Sequence, residues 1–301
     1  MRRADISKAI LFLLPSLLLI VVFFIAPAII TGWMSLTGLD YRFEWDWVGF
    51  GNYVKMVKDS LVPRILLNTV VYTFGTLALF NVTFGLVLAL STSYIEDRVG
   101  LFFKAVWLLP RFTPPVVYAV IWFWILDPTD YGLLNTIRQG IGLQTVDWIS
   151  EYPWGTIIVT NGIIGASMGM VIFAAAIESI PDDYLWASRV DGASWFGQIR
   201  YIILPMIRWP LLFVTAYQTL SLLTSYEYIL LITKGGPFYA SEVWSLYAYD
   251  VAFSTYSGTF QFGYGAALAT ILVIIGTVAS VVYWRLFRFH ELMETPRIEV
   301  G

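Results

Sequence analysis

The stretch DDYLWASRVDGASWFGQIRYIILP, residues 182–205, is a polar interruption between two long apolar runs. Its charged side chains are mixed in sign, and Gly192 and Gly197 stand where a helix would bend or break. The flanking runs, residues 168–180 and 207–232, are apolar enough to lie in lipid. A helix-compatible segment of mixed charge between two such runs is expected at a membrane surface, where it meets a partner.

The composition of the whole chain agrees with a membrane protein. Of its 301 residues, 58% are hydrophobic and 17% aromatic, and only 13% are charged, whereas a soluble domain averages about 25% charged residues. The formal net charge of −3 says little about partners. Because the chain has no basic run, we expect no nucleic acid among its partners.

Residue types that carry catalysis or bind metals are scarce. The chain has no cysteine and one histidine, His290, which argues against thiolate metal sites, zinc hydrolysis and Ser-His-Asp chemistry. We find no set of residues for an intramembrane enzyme, and therefore predict no catalytic residue and no metal site. The phosphate-binding pattern G-x-x-x-x-G-K-[ST] is also missing, so that ATP, if it drives this protein, binds to another polypeptide.

Apolar runs predict an all-α membrane protein with six transmembrane helices in a single domain over residues 1–301. The predicted spans are residues 9–33, 65–91, 105–126, 154–180, 207–232 and 262–287. The first run is longer than the core of a signal peptide, about 7–15 residues, so we expect it to be retained.

The distribution of positive charge predicts the orientation in the membrane. An even number of spans places both termini on the side of the polar loop at residues 181–205. Eleven of the 18 Lys and Arg residues fall on that side and six on the other, while Arg111 lies inside a span. Cytoplasmic loops carry the excess of Lys and Arg, so the sequence predicts that this loop and both termini are cytoplasmic.

Several short motifs, in the right order, resemble those of one family. In the polar loop, the matching residues are Ala187, Asp191-Gly192-Ala193, Phe196, Ile199 and Ile203-Leu204-Pro205. They resemble the consensus EAA…G…I.LP of the cytoplasmic loop of binding-protein-dependent ABC importer permeases. Further matches are Val48–Tyr53, Asp127-Pro128 with Tyr131-Gly132-Leu133, and Thr233–Pro237. From about Val48 to Gly276, the chain is similar to permeases of the carbohydrate-uptake (maltose and glycerol-3-phosphate) type.

The resemblance implies that the loop is a cytoplasmic coupling-helix (EAA-type) loop that docks on an ATPase subunit. Tyr184–Val190 would be the short coupling helix and Trp195–Ile203 a second helix that returns to the bilayer. The leading Glu of the consensus reads Trp186 here, with Asp182 or Asp183 as its candidate replacement. The docking residues implied are Asp183, Tyr184, Leu185, Trp186, Ala187, Ser188, Asp191, Gly192 and Ala193. The alternative is an ordinary charged loop that solvates two helix ends.

Arg111 is the residue that bears most on the transported solute. An ionisable group within a span is a functional hypothesis by default, and Arg111 follows Leu108-Leu109-Pro110, which resembles a motif that enters the sugar pathway of maltose-type permeases. A guanidinium there favours an anionic solute, such as a sugar or polyol phosphate, a uronate or a sulfo-sugar. The alternative is that Arg111 reaches the lipid headgroups or pairs with Glu178.

The same resemblance implies further residues along a substrate pathway. They are Pro115 in the third span, Asn161, Gly165 and Met168 in the fourth, and Gln218, Ser221, Leu222 and Ser225 in the fifth. The spacing of the residues in the fourth and fifth spans puts each set on one helical face. The alternatives are helix–helix packing by small and polar residues, and a solute held by a partner permease.

Taken together, the resemblance implies the transmembrane subunit of an ATP-driven importer of a sugar or sugar-like solute in the cell inner membrane. Its implied partners are a second permease, two ATPase subunits that carry ATP and Mg, and an extracytoplasmic solute-binding protein, with no cofactor in this chain. The alternative is an ion-coupled secondary transporter. That class usually needs a carboxylate near the middle of the bilayer, and the acids here cluster at span ends.

Overall fold

The computed structural model describes residues 3–254 and 260–287, with side chains from Phe12 onward. Within these ranges, the backbone forms helices joined by irregular loops, and Thr37 and Trp47 make one isolated antiparallel bridge. The protein is therefore an all-α membrane protein, as predicted.

Fourteen helices follow one another in the described residues. The first seven are α1 (residues 3–34, with a π-helical turn at Val21–Ile25), α2 (Gly51–Lys58), α3 (Val62–Ser93, π-helical over Leu77–Phe84), α4 (Asp97–Phe112), α5 (Pro115–Ile125), α6 (Leu133–Gly140) and α7 (Trp148–Glu151). The others are α8 (Pro153–Glu178), α9 (Asp182–Val190), α10 (Trp195–Met206, π-helical over Ile199–Ile203), α11 (Arg208–Thr224), α12 (Glu227–Ile232), α13 (Trp244–Phe253) and α14 (Phe262–Leu286).

Four of these helices are long and apolar enough to cross a membrane by themselves: α1 from Phe12, α3, α8 and α14. The number rises to six if each of two bent pairs counts as one span. These pairs are α4 with α5, bent by 101°, and α10 with α11, bent by 70°. Four of the six predicted spans thus correspond to long helices, and the third corresponds to the bent pair of α4 and α5. The fifth, residues 207–232, begins only at α11, because the sequence analysis assigned most of α10 to the polar loop.

Proline explains the sharpest of these bends. Thr113, between α4 and α5, adopts an extended conformation (φ −72°, ψ 129°) and precedes Pro114. A residue before proline is pushed out of the α region, and proline cannot donate the hydrogen bond that would continue the helix. The third predicted span is therefore two helices, and the fifth is α11 followed by α12 after a break at Ser225.

The chain divides into two compact units. Unit 1 comprises Met1–Pro63 and Tyr247–Ile275, and unit 2 comprises Arg64–Leu246 and Gly276–Gly301. The single permease domain that the sequence suggests stays a prediction. The main apolar core of unit 2 consists of Ala89, Leu90, Phe173, Ala174, Ile177, Ile180, Ile199, Ile203, Ile207 and Val214. It therefore joins the ends of α3 and α8 to α10, so that the polar loop is seated on packed helices.

Within unit 1, a half-buried carboxylate holds three elements together. Asp59, at the end of α2, accepts hydrogen bonds from the hydroxyl groups of Tyr247 (2.5 Å) and Tyr264 (3.0 Å) and from the backbone N–H of Leu61 (2.9 Å). Desolvation raises the pKa of Asp59, but these hydrogen bonds and the charge of Lys55 together outweigh it and lower that pKa below its usual range. Asp59 is thus a charged link between α2, α13 and α14.

Candidate functional site

A polar cavity lies in unit 2 among α4, α8, α11 and α12. Its volume is about 260 Å³, and its lining residues are Arg111, Asn161, Ile164, Gly165, Gln218, Ser221, Leu222, Ser225 and Tyr228. Seven of the nine residues predicted for the pathway are thereby brought together. The other two do not line it: Pro115 begins α5, and Met168 is half-buried on α8.

Helix breaks put the polar side chains into this cavity. Arg111 lies in the last turn of α4, just before the break at Thr113. Ser225 follows α11 in an extended conformation (φ −75°, ψ 121°), and Tyr228 lies in the first turn of α12. Irregular backbone inside a membrane is tolerated where it lines a cavity. The breaks at Thr113 and Ser225 both lie beside this cavity.

The amide group of Asn161 is oriented by its neighbours. Its Nδ2 donates hydrogen bonds to the hydroxyl oxygens of Tyr72 and Ser225, the latter at 3.1 Å. Tyr72 is fully buried on α3, so it holds the amide from behind the cavity wall. Both N–H groups are then used inside the protein, and the carbonyl oxygen Oδ1 remains as the atom that Asn161 offers to the cavity.

Gln218 is oriented in the same sense. Its Nε2 donates one hydrogen bond, to the backbone oxygen of Gly165 at 3.1 Å, which leaves the side-chain oxygen and the second N–H for a solute. Gly165 leaves room for a side chain of α3, because a Cβ there would lie 2.0 Å from Oδ1 of Asn81. The wall formed by α8 and α11 therefore presents the side-chain oxygens of both amides to the cavity.

Arg111 supplies the positive charge on the lining of this cavity. The pairing with Glu178 considered from the sequence does not occur, because Glu178 forms its ion pair with Lys104. Lys104 lies two turns earlier on the same helix, so it, and not Arg111, balances the charge at the end of α8. Arg111 is left facing the cavity beside Tyr228.

The polar loop folds into a helix, a sharp turn and a second helix. After α9, the N–H of Gly192 bonds the carbonyl of Arg189 (3.1 Å) and that of Ala193 bonds the carbonyl of Ser188 (2.9 Å). This pair of bonds is the Schellman motif, which needs a left-handed residue after the helix. Gly192 has φ +81° and meets that need without strain.

One face of α9 is turned into the protein. Leu185 packs against the core of unit 2, and Ser188 is buried. The buried side chain of Gln198 on α10 donates to Oγ of Ser188 (2.9 Å) and to the carbonyl of Leu185 (3.2 Å). These bonds fix the angle between the two helices of the loop.

The other face of α9 is free for a partner. Tyr184 and Trp186 are 56% and 59% exposed, and Asp183, Ala187 and Asp191 are also exposed. Of the nine residues predicted to dock, Leu185 and Ser188 thus contact the protein's own interior, and the others are accessible. The coupling helix begins two residues earlier than predicted, at Asp182.

Four residues of the site were not found by sequence reasoning. Ile164 and Tyr228 line the cavity, Tyr72 orients Asn161 and Gln198 bridges the helices of the polar loop. The two tyrosines gave a weak signal because each contacts a residue far away in the sequence, whereas Gln198 pairs within the polar loop. Among the described residues, no group of three or more His, Cys, Asp or Glu side chains could hold a metal ion.

Comparisons with known proteins place these features in context. Residues 81–288 match the family described as binding-protein-dependent transport system inner membrane component. The chain is 30% identical to the probable ABC transporter permease protein YurN of Bacillus subtilis, over 92% of this chain and 95% of that protein. It is 29% identical to the alpha-glucoside transport system permease protein AglF of Rhizobium meliloti, over 95% of this chain and 83% of that protein.

A solved structure has the same fold. It is a chain of a bacterial ABC transporter involved in the import of the acidic polysaccharide alginate, and it superposes with a TM-score of 0.79. The match covers 95% of this chain and 97% of that one at 24% sequence identity.

Proposed function

We propose, because the chain belongs to the family of binding-protein-dependent transport system inner membrane components, that it forms the sugar pathway of an ATP-driven importer. The cavity that Arg111 lines would be the part of this pathway that binds the solute. The chain is the permease component, and hydrolysis of ATP takes place on partner subunits. A relative that shares 29% identity is an alpha-glucoside permease, which supports a carbohydrate as the solute.

The solute proposed is a sugar with an acidic group. Asn161 uses both of its side-chain N–H groups inside the protein and Gln218 uses one of its two. Their side-chain oxygens accept hydrogen bonds from sugar hydroxyl groups. Arg111, on the same cavity, donates to a carboxylate, sulfonate or phosphate through two parallel hydrogen bonds. The single observation that carries this proposal is the position of Arg111 in the same cavity as the side-chain oxygens of Asn161 and Gln218.

The polar loop is proposed to transmit the ATPase cycle. The exposed face of α9, with Asp183, Tyr184 and Trp186, would lie in a groove of an ATPase subunit as a helix does in a partner's groove. Leu185 and Gln198 fix this helix to the core of unit 2. A displacement of α9 by the ATPase would therefore move α10 and, through it, α11, whose residues Gln218, Ser221 and Leu222 line the cavity.

The remaining partners and the placement follow from the same proposal. A second permease would complete the pathway, two ATPase subunits would bind ATP and Mg, and an extracytoplasmic binding protein would deliver the solute. The protein would lie in the cell inner membrane with α9 and both termini in the cytoplasm, as the excess of Lys and Arg on that side supports.

The test is solute uptake by the complex reconstituted in vesicles with its solute-binding protein. Uptake of an acidic sugar should depend on ATP and persist when proton and sodium gradients are collapsed, and a matched neutral sugar should be taken up poorly. Uptake that requires an ion gradient and not ATP would contradict the importer proposal and favour the secondary transporter. ATP-driven uptake that prefers the neutral sugar would leave the importer intact and contradict only the acidic solute.

A further inference from the structure

A loop of unit 1 has a composition that neither the cavity nor the coupling helix explains. Residues 39–50, here named the aromatic loop, alternate aromatic with charged side chains: Asp40, Tyr41, Arg42, Phe43, Glu44, Trp45, Asp46 and Trp47. Its rings are not buried in the fold. Tyr41, Phe43, Trp45, Trp47 and Phe50 are each between 55% and 73% exposed. So large an exposed apolar area marks a surface that contacts something other than water.

The first contact places the aromatic loop at the end of a span. The backbone bridge between Thr37 and Trp47, with the N–H of Gly38 bonded to the carbonyl of Asp46 at 2.7 Å, folds the loop back on itself. Trp47 is thereby returned to α1, where its ring lies 5.3 Å from that of Trp33. Trp33 is in the last turn of α1, so Trp47 lies at the level where this helix leaves the membrane.

A second contact places it at the end of another span. The ring of Phe43 stacks on that of Phe262 at 5.8 Å, and Phe262 is the first residue of α14. The N–H of Gly263 also bonds the carbonyl of Leu39, at 2.8 Å. One loop thus touches the end of α1 and the start of α14, and both helix ends lie on the same face of the membrane.

Two of the three acids of the aromatic loop lie beside its one base. Arg42 pairs with Asp40 at 2.9 Å and approaches Glu44 at 3.7 Å, so that these side chains do not require a charged partner. The loop adjoins the apolar surface of α1, whose side chains Phe23, Phe24 and Ile29 are mostly exposed and suited to lipid. Trp and Tyr prefer the layer between hydrocarbon and water, where an apolar ring and a polar atom are both satisfied.

We propose that the aromatic loop is a membrane-interface anchor whose partner is lipid. Its rings lie in the headgroup layer of the leaflet in which α1 ends, beside Trp33 and Phe262. Because residues 40–47 contain three acids and one base, anionic lipid does not strengthen the contact. The anchor fixes the ends of α1 and α14, and the loop is then not a docking surface for a soluble protein.

The test uses the natural lack of cysteine in this chain. A single cysteine is introduced by Trp45→Cys, by Phe43→Cys in case the first variant folds poorly, and by Gln144→Cys in an exposed polar loop as control. Each is labelled with the fluorophore NBD in the assembled complex, reconstituted in phosphatidylcholine vesicles, and the labelling of the cysteine-free wild-type chain gives the background. Quenching is measured with headgroup nitroxide lipid and, separately, with aqueous iodide.

The two arms of the experiment give opposite results. The proposal predicts that labels at positions 43 and 45 emit at shorter wavelength than the label at 144, lose fluorescence to nitroxide lipid and resist iodide, whether or not anionic lipid is present. Labels at 43 and 45 that iodide quenches as strongly as it quenches the label at 144 would overturn it. Protection from iodide that appears only when the solute-binding protein is added would overturn it too, since the partner would then be a protein.

Discussion

At the scale of single residues, the position of Arg111 decides what the cavity can bind. A guanidinium in a span is costly unless a partner or a polar cavity compensates its charge. Among the described acids near the end of α8, Glu178 is engaged by Lys104, and Arg111 lines a cavity with oriented amide oxygens. This position on the cavity is the basis of the proposal that Arg111 binds an anionic solute.

Replacing Arg111 by Gln should weaken transport of an acidic sugar. Loss of hydrogen bonds to a charged group costs about 1.5–3 kcal/mol, which corresponds to roughly a 10- to 100-fold rise in the apparent KM. Arg111→Lys keeps the charge but loses the two parallel hydrogen bonds, so its apparent KM should lie between those of wild type and Arg111→Gln. An unchanged KM for the acidic sugar in Arg111→Gln, with normal amounts of complex in the membrane, would show that Arg111 does not contact the solute.

Asp59 makes the stability of unit 1 depend on pH. In the folded state its pKa is lowered from the ordinary 3.8. The carboxylate therefore adds to the free energy of unfolding at pH values above 3.8, and this stabilisation is lost as the pH falls through the pKa of the folded state. Wild type should be more stable than Asp59→Asn at neutral pH, and the difference should shrink below about pH 4. Thermal unfolding of both proteins as a function of pH checks this.

A matched variant separates the carboxylate from general packing. Tyr264→Phe removes one of the two hydroxyl donors to Asp59, so the pH dependence should become smaller without vanishing. A difference between wild type and Asp59→Asn that is the same at every pH would mean that shape, and not charge, links α2 to α13 and α14.

At the scale of elements, the turn after α9 depends on one glycine. An L-residue side chain in the left-handed region costs about 1–2 kcal/mol, and Gly192 has φ +81°. Gly192→Ala should therefore destabilise the polar loop and reduce solute-stimulated ATP hydrolysis by the complex. Gly197→Ala is the control, since a Cβ there meets Oγ of Ser194 at 3.5 Å, an ordinary contact. Equal hydrolysis in the two variants would contradict the role of this turn in coupling.

The contact of α8 with α3 depends on a second glycine. A Cβ at Gly165 would lie 2.0 Å from Oδ1 of Asn81, whereas at Gly155, on the same helix, the nearest atom would be 3.9 Å away. Gly165→Ala should lower the stability of the protein by about 1–3 kcal/mol, a typical cost of overpacking. Gly155→Ala should be close to neutral. If thermal unfolding in detergent shows equal effects, α3 and α8 do not approach as closely as described.

At the scale of the whole molecule, the sequence predicted the class of protein and most of the cavity but not the helix breaks. Apolar runs of about 25 residues identify spans, and the motif around Gly192 identified the polar loop. Hydropathy does not register a bend, however, so the 101° angle between α4 and α5 was hidden within one run although Pro114 lies at its centre. Tyr72 was missed because its partner Asn161 lies 89 residues away, a pairing that no local pattern reveals.

Isolation of the chain from its native membrane in mild detergent shows whether this permease works with ATPase subunits bound at α9. We expect a second permease and an ATPase to copurify, and ATP hydrolysis to rise when an acidic sugar and its binding protein are added. Trp186→Lys, which removes an exposed ring of α9 and puts a positive charge where the consensus has an acid, should reduce the amount of ATPase recovered. A chain that is isolated alone, with no ATPase from a membrane in which the transporter is active, would contradict the proposed binding of ATPase subunits.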